Sequence, residues 1–354
     1  MITAARGRDI VVIGASAGGV SVLQEIVKGI PPRYPGSLFI VLHLDPRVKS
    51  HLPQILSQSG SLSASHPEDG EAIRPGHIYV APPDLHMIVK SGSIHVVRGP
   101  KENRSRPAID PMFRSAAIAY GRRTVGVVLT GMLDDGASGL AAVRNHGGIT
   151  VVQDPEEAEY DSMPLHALNI VGVDYVLRAR EIAVLLGRLA ETPLPQPVQL
   201  PDVYSQTDVA EVASADFDPA AIENHDSKPG QPSVYSCPDC SGTLWEIEDG
   251  AQLRFRCRIG HSYTLDHLAE EQHDGVEKAL WIALRALEEN AALLRQKSKR
   301  AATGGYTRAA AQHDEGAAEK ERSARIVRGL ILRLKVPFDD FDVQNQLETA
   351  VREG

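Results

Sequence analysis

Ser16 stands in Gly14-Ala15-Ser16-Ala17-Gly18-Gly19, a serine set among small residues and glycines. The pattern G-x-S-x-G lifts a hydroxyl out of a tight strand-to-helix turn, where it attacks acyl carbon. The context fits. A short apolar strand, Asp9-Ile13, precedes the turn, and a helix from about Gly18 to Val27 follows it. Glycines let the backbone take the angles such a turn requires, and the helix N-terminus offers amides and the positive end of its dipole to an oxyanion. A strand-glycine-helix unit also builds phosphate and dinucleotide sites, so a nucleotide-binding oxidoreductase is the rival reading. Two features count against it. The spacing G-x-S-x-G-G is not G-x-G-x-x-G, and the second strand ends on His43, with Asp45 beyond, rather than on an acid.

A serine nucleophile needs a base to take its proton and a carboxylate to orient that base, and in open α/β sheets such groups lie beyond the carboxyl ends of strands. His43 follows directly on the strand Leu38-Leu42. Asp135 lies in Thr130-Gly131-Met132-Leu133-Asp134-Asp135-Gly136, the loop that leaves the strand Thr124-Leu129. His86, His166 and Asp134 compete for the same roles, and spacing alone leaves them open. The chain order Ser, His, Asp differs from that of the α/β-hydrolases, in which the acid precedes the histidine.

A second constellation lies near the other end of the chain. Cys237-Pro238-Asp239-Cys240 and Cys257-Arg258-Ile259-Gly260-His261 give C-x2-C, a 16-residue gap and C-x3-H, which uses every cysteine in the chain. Three thiols and an imidazole at this spacing predict a structural zinc site with Cys237, Cys240, Cys257 and His261 as ligands, and an odd cysteine count is a poor disulfide framework. The alternative is a redox or unligated thiol set. Leu244-Ile247 and Leu253-Arg256 around Glu248-Asp249-Gly250 read as a β-hairpin between the ligand pairs, a zinc-ribbon arrangement. Arg254, Arg256 and Arg258 are offset by Asp239, Glu246, Glu248 and Asp249, so docking to protein or a purely structural role is expected of the ribbon rather than nucleic-acid binding.

The elements that must hold these residues follow an α/β pattern. From residue 9 to about 190, short β-branched runs alternate with segments of helical period, which predicts a doubly wound, mainly parallel sheet covered by helices. Further strands are expected at His77-Ala81, Ile149-Gln153 and Asp174-Leu177, and His86-Val89 with Ile94-Val97 reads as an inserted β-hairpin. Asp110-Pro111 reads as an N-cap carboxylate followed by proline at the first helical position. The expected layout is a catalytic domain over 1–190, a Pro-rich acidic linker over 191–233, the ribbon over 234–264 and a helical region over 265–354. In that last region Leu280, Ala283, Leu284, Leu287, Ala291 and Leu294 form one apolar face, Gly304-Gly305 ends the first long helix, and a second runs from Thr307 to Leu334. Packing within this α-helical hairpin or self-association through it would use that face.

At 354 residues with a net charge of -9, the chain is long enough for about two domains, and its acidity argues against a nucleic-acid or anionic-lipid surface. The absence of a signal-peptide pattern, of any apolar run of about twenty residues and of a disulfide framework makes a cytoplasmic protein, with no membrane insertion, the expectation.

Ile13-Gly14-Ala15-Ser16-Ala17-Gly18-Gly19, Leu42-His43-Leu44 and Leu129-Thr130-Gly131-Met132 with Asp135-Gly136 resemble the CheB-type receptor methylesterase domain. So do Arg74-Pro75-Gly76-His77, Tyr79-Val80-Ala81-Pro82, Arg106-Pro107-Ala108-Ile109-Asp110 and Ser162-Met163-Pro164, which extend the resemblance over about 9–190. It implies a nucleophile at Ser16, a general base and acid at His43, an orienting carboxylate at Asp135, and oxyanion amides near Ala17 and Met132, with no cofactor for catalysis. Ala17 departs from the family's usual threonine, but an oxyanion amide belongs to the main chain. The implied reaction is hydrolysis of glutamyl methyl esters on methylated chemoreceptors, with deamidation of receptor glutamines as a second activity. The first catalytic strand begins at about residue 9, so the family's receiver domain is not expected ahead of it. Control is expected from another protein or from the C-terminal half. A non-catalytic adaptor, in which ribbon and helices matter most, is the remaining alternative.

Overall fold

A computed structural model describes residues 7–43, 50–194, 206–216, 230–249 and 252–334. The chain forms two compact units, Met1–Leu268 and Ala269–Gly354.

The first unit opens with β1 (Ile10–Ala15), α1 (Gly19–Gly29), β2 (Ser37–Leu42), α2 (Leu52–Ser59), β3 (Ser63–Ser65), β4 (Glu71–Ala72) and β5 (His77–Val80). It continues through β6 (His86–Lys90), β7 (Ser93–Val97), α3 (Ile109–Tyr120), β8 (Thr124–Val128), α4 (Ala137–Asn145), β9 (Ile149–Gln153), α5 (Ser162–Ile170), β10 (Tyr175–Leu177) and α6 (Ala179–Glu191). Seven strands form one sheet in the order β10-β9-β8-β1-β2-β5-β3, and all of its pairings are parallel. The central strands are buried on both faces because helices cover both. Val11, Ile13, Leu38, Ile40, Val125 and Val127 pack toward α1, α2 and α6. Ile10, Val12, Phe39, Val41 and Tyr79 pack toward α3, α4, α5 and the β6-β7 hairpin. Apolar β-branched runs with no polar alternation are what this double cover demands.

The doubly wound sheet and the inserted hairpin agree with the sequence pattern, and the hairpin gains a third strand, β4, against β7. One local reading is corrected. Asp110 does not cap its own helix: α3 begins at Ile109 with Ala108 before it, and the Asp110 carboxylate instead accepts from Gly136 N at 3.0 Å and Gly139 N at 2.6 Å, at the start of α4. Within the segment read as a linker, residues 206–216 are described, and Gln206–Ala215 form a helix, α7. Its Asp208 and Glu211 are buried, so that part of the acidic stretch packs into the fold.

The ribbon is a four-stranded antiparallel sheet, β11 (Gln231–Ser236), β12 (Thr243–Asp249), β13 (Gln252–Cys257) and β14 (Ser262–Thr264), in that order. Leu265–Thr303 form α8, whose first turn still belongs to the first unit. In the second unit the rest of α8 and α9 (Thr307–Arg333) make the helical hairpin. Leu284, Ala324 and Ile331 are its buried core, with Leu280, Leu287 and Val327 packed against them. Gly305 turns the chain with φ 80°, a conformation that suits glycine. Among the described residues, no helix is long and apolar enough to cross a membrane.

Candidate functional site

The sheet order reverses at β1, which lies between β8 and β2, and the carboxyl ends of these three strands carry Ser16, His43 and the 130–136 loop. That is where an open α/β sheet leaves a crevice. Ser16 follows β1 directly, and Gly18 closes the turn with φ 75° before α1 begins at Gly19. Ser16 N donates to Thr130 O at 3.0 Å and Gly19 N to Ser16 O at 3.0 Å, so the turn is pinned to the neighbouring loop and to its own helix. His43 extends β2 by one ladder bond, His43 N to Ala15 O at 3.2 Å.

The three side chains converge. His43 Nδ1 lies 3.2 Å from Ser16 Oγ, and His43 Nε2 lies 2.8 Å from Asp135 Oδ2. A charged carboxylate only accepts, so Nε2 carries the ring proton. Nδ1 then presents a lone pair to the serine hydroxyl. His43 keeps 18% of its side chain exposed while Asp135 keeps 1%, so the imidazole faces the crevice and the carboxylate lies beneath it.

Asp135 sits at the N-terminus of α3, where its carboxylate accepts from Ile109 N at 2.7 Å, from Asp110 N at 3.3 Å and from the Asn103 side-chain amide at 3.0 Å. Burial works against its charge. The bond from His43 and these amide donors outweigh burial and hold the carboxyl well below the usual carboxylate range. Asp110, equally buried, is pushed up to about 7 by burial and then by the adjacent Asp135 charge. The two acids thus cap each other's helices, Asp135 on α3 and Asp110 on α4.

The competing residues lie elsewhere. His86 is fully buried and spends both ring nitrogens on backbone, Nε2 on Pro100 O at 2.7 Å and Nδ1 on Ala108 N at 3.3 Å. His166, on α5, pairs with Asp266 at 3.4 Å, and this partner raises its pKa to about 9. Asp134 turns away from His43 and meets His267 Nδ1 at 2.7 Å and Thr264 Oγ1 at 3.0 Å. Gly131 runs against Ser16: a Cβ built on it would stand 2.8 Å from Ser16 Cβ. That brings the loop carrying Met132 to the mouth of the crevice. Ala17 O accepts from Thr130 Oγ1 at 3.0 Å, which fixes the residue after the serine. Asn103 was not signalled by the sequence, because two of its partners, Asp135 and Thr264, come from distant segments.

The ribbon brings Cys237, Cys240, Cys257 and His261 together, with one ligand atom from each lying within 4.8 Å of all the others. The Cys240–Cys257 sulfurs are 3.6 Å apart, and His261 Nδ1 lies 3.7 Å from Cys237 Sγ and 3.5 Å from Cys257 Sγ. Tetrahedral zinc, with bonds of about 2.3 Å to sulfur and 2.0–2.1 Å to nitrogen, asks for edges of roughly 3.5–3.8 Å. The four residues fit that group. The ribbon's arginines are neutralised differently from the sequence expectation: Arg254 pairs with Glu102 at 3.2 Å and Glu211 at 3.0 Å, and Arg256 with Glu211 at 2.8 Å.

A family model described as CheB methylesterase matches residues 11–186. Over 189 residues the chain is 37% identical to a putative protein-glutamate methylesterase/protein-glutamine glutaminase of Leptospira interrogans serovar copenhageni, covering 53% of this chain and 98% of that one. A protein-glutamate methylesterase/protein-glutamine glutaminase of Yersinia pestis biovar Antiqua is 36% identical over 178 residues, 49% of this chain and 51% of the relative. The chain thus spans about half the length of that relative. Among solved structures, the Thermotoga maritima CheB methylesterase catalytic domain is 34% identical, with 51% of this chain and 98% of that one covered and a TM-score of 0.49. Both sequence relatives carry esterase names, and neither is named as an oxidoreductase or an adaptor.

Proposed function

We propose that this chain, which belongs to the CheB methylesterase family, hydrolyses methyl esters of glutamyl side chains on chemoreceptors, with Ser16 as nucleophile. One observation carries the reading: a hydrogen-bonded run from Ser16 Oγ through the His43 ring to Asp135 at the ends of three adjacent strands. His43 Nδ1 takes the hydroxyl proton as Ser16 Oγ bonds to the ester carbonyl carbon. The main-chain amides of Ala17 and Met132 hold the resulting oxyanion. When the tetrahedral species collapses, the C–O bond to methanol breaks and His43 returns its proton to the leaving methoxide. Water, deprotonated by His43, then releases the acyl group as a glutamate carboxylate. Replacing the ester by a glutamine side chain gives the same steps with ammonia leaving, so deamidation of receptor glutamines belongs to the same site. Asp135 does not touch the substrate; it holds the ring in the tautomer that leaves Nδ1 free and stabilises the imidazolium.

Catalysis needs no cofactor in this scheme. Cys237, Cys240, Cys257 and His261 would hold a zinc ion, which when bound ties the two ends of the ribbon together. We place the protein in the cytoplasm, where receptor signalling domains are reachable and thiols stay reduced. The purified chain, incubated with methylated receptor, is expected to release methanol and glutamate carboxylate in equal amounts. No methanol above the uncatalysed rate would overturn the reading. Metal analysis is expected to find about one zinc per chain, falling to near zero when Cys237 and Cys257 are both changed to serine.

A further inference from the structure

We propose that the ribbon is a positioning element of the esterase site, acting through Asn103 on the carboxylate that orients His43. The inference rests on the esterase reading above. Ribbon strand β14 lies against the 101–105 segment: Ser262 N donates to Lys101 O at 3.2 Å and Asn103 N to Ser262 O at 2.9 Å. Thr264 N donates to the Asn103 side-chain oxygen at 3.2 Å. That bond decides which way the Asn103 amide points, because an oxygen occupied by an N–H donor leaves the NH2 group facing the other way. The NH2 group donates to Asp135 Oδ1 and to Asp110 Oδ2, each at 3.0 Å. Asn103 is 1% exposed and stands in the left-handed region with φ 48°, a conformation that asparagine tolerates and that its surroundings must hold. A second grip falls one residue from the triad acid. Thr264 Oγ1 donates to Asp134 Oδ1 at 3.0 Å, and His267 Nδ1 meets the same oxygen at 2.7 Å.

The ribbon is fastened beneath this contact by a buried charge cluster. Arg254 of β13 lies between Glu102 and Glu211, Arg114 of α3 pairs with Glu102, and Arg256 pairs with Glu211. Arg254 and Arg114 have no exposed surface and Glu102 has 2%, so undocking the ribbon would strip partners from ions the catalytic domain keeps buried. The ribbon cannot hold its own shape on apolar burial alone. Its core is Cys237, Leu244, Phe255, Cys257, Tyr263 and Leu268, too few for an independent fold of this size. His261 is the residue before β14, so a metal held by Cys237, Cys240, Cys257 and His261 would fix the strand that holds Asn103. His261, β14, Asn103 and Asp135 form one continuous run of bonded and hydrogen-bonded groups.

The test uses the full chain and the rate at which a fluorophosphonate labels its serine, read by mass spectrometry, with zinc content and circular dichroism measured on the same samples. Metal-loaded protein is expected to label at Ser16. Stripping the metal is expected to slow labelling about 10-fold or more while the helical signal of the α/β fold persists. Thr264→Val, which keeps the metal but loses the hydroxyl bond to Asp134, is expected to slow it ~2- to 10-fold. Asn103→Ala is expected to lower kcat about 10-fold on methylated receptor with KM within about twofold, since Asn103 touches the orienting acid and not the ester. Stripping metal from Asn103→Ala should then add little, because one path has been cut twice. Equal labelling of loaded and stripped wild type, or full additivity of metal loss and Asn103→Ala, would overturn the proposal while leaving the esterase intact. Failure of loaded wild type to label at Ser16 would instead overturn the esterase reading itself.

Discussion

At the scale of single residues, the site is built from pairs whose charges are decided by their donors. Asp135 lies as deep as Asp110, yet only Asp135 accepts from an imidazole, and that bond with the first amides of α3 keeps it ionised. Its proposed role is indirect: its partner is the His43 ring, through which it would act. Asp135→Asn keeps the shape but offers His43 an amide able to donate toward the ring, favouring the tautomer with the proton on Nδ1. Methanol release should therefore fall by on the order of 1000-fold, and urea stability by about 1–3 kcal/mol, because the same amide then faces the buried Ile109 N–H. A residual rate within about tenfold of wild type would remove Asp135 from the mechanism. Ser16, His43 and Asp135 were legible in the sequence as candidates because Ser16 and His43 stand directly beyond apolar strands and Asp135 lies in the loop that follows a third, where catalytic groups of open sheets collect. Spacing left Asp134 and Asp135 equal. Contacts with Thr264 and His267, more than a hundred residues away, separate them.

At the scale of elements, two helix starts and one tight turn make the geometry. α1 begins only because Gly18 takes φ 75°, and in that turn a Cβ would also crowd Glu159 and stand 3.2 Å from Thr130 Oγ1. Gly18→Ala is expected to cost about 1–2 kcal/mol from backbone strain alone, and to lower esterase activity beyond what the stability loss explains. Urea unfolding beside methanol release separates the two effects. The sheet, its order-setting strands and the hairpin were readable from β-branched runs and turn residues. The role of Asp110 was not, because an aspartate before proline has the local signature of a cap whichever helix its carboxylate reaches. α7 was hidden for a similar reason: its acidic residues read as solvated chain until Glu211 finds Arg254 and Arg256 in the ribbon.

At the scale of the first compact unit, α/β fold and ribbon are joined by buried ions rather than by an apolar seam. Burial pushes the Glu211 carboxyl up, but Arg254, Arg256 and Arg114 pull it down to about 2. A folded-state value below the unfolded one means that this group stabilises the fold at pH values above the ordinary glutamate range. The contribution is lost as pH falls from that range toward 2. Urea midpoints should accordingly drop between about pH 5 and pH 3 by more in the wild type than in Glu211→Gln. Arg254→Met should cost on the order of 3–5 kcal/mol at neutral pH by leaving Glu102 and Glu211 with fewer partners. A change under about 1 kcal/mol would show that the cluster is not what fastens the ribbon.

Ser16 is proposed to be the group that breaks the ester. Methanol released from methylated receptor, measured side by side for wild type and Ser16→Ala at equal, folded protein concentrations, tests it most directly. Turnover by Ser16→Ala is expected to fall on the order of 10⁴-fold or more, to the background left by the oxyanion amides and binding alone. Turnover by Ser16→Ala at a rate near that of wild type would contradict it.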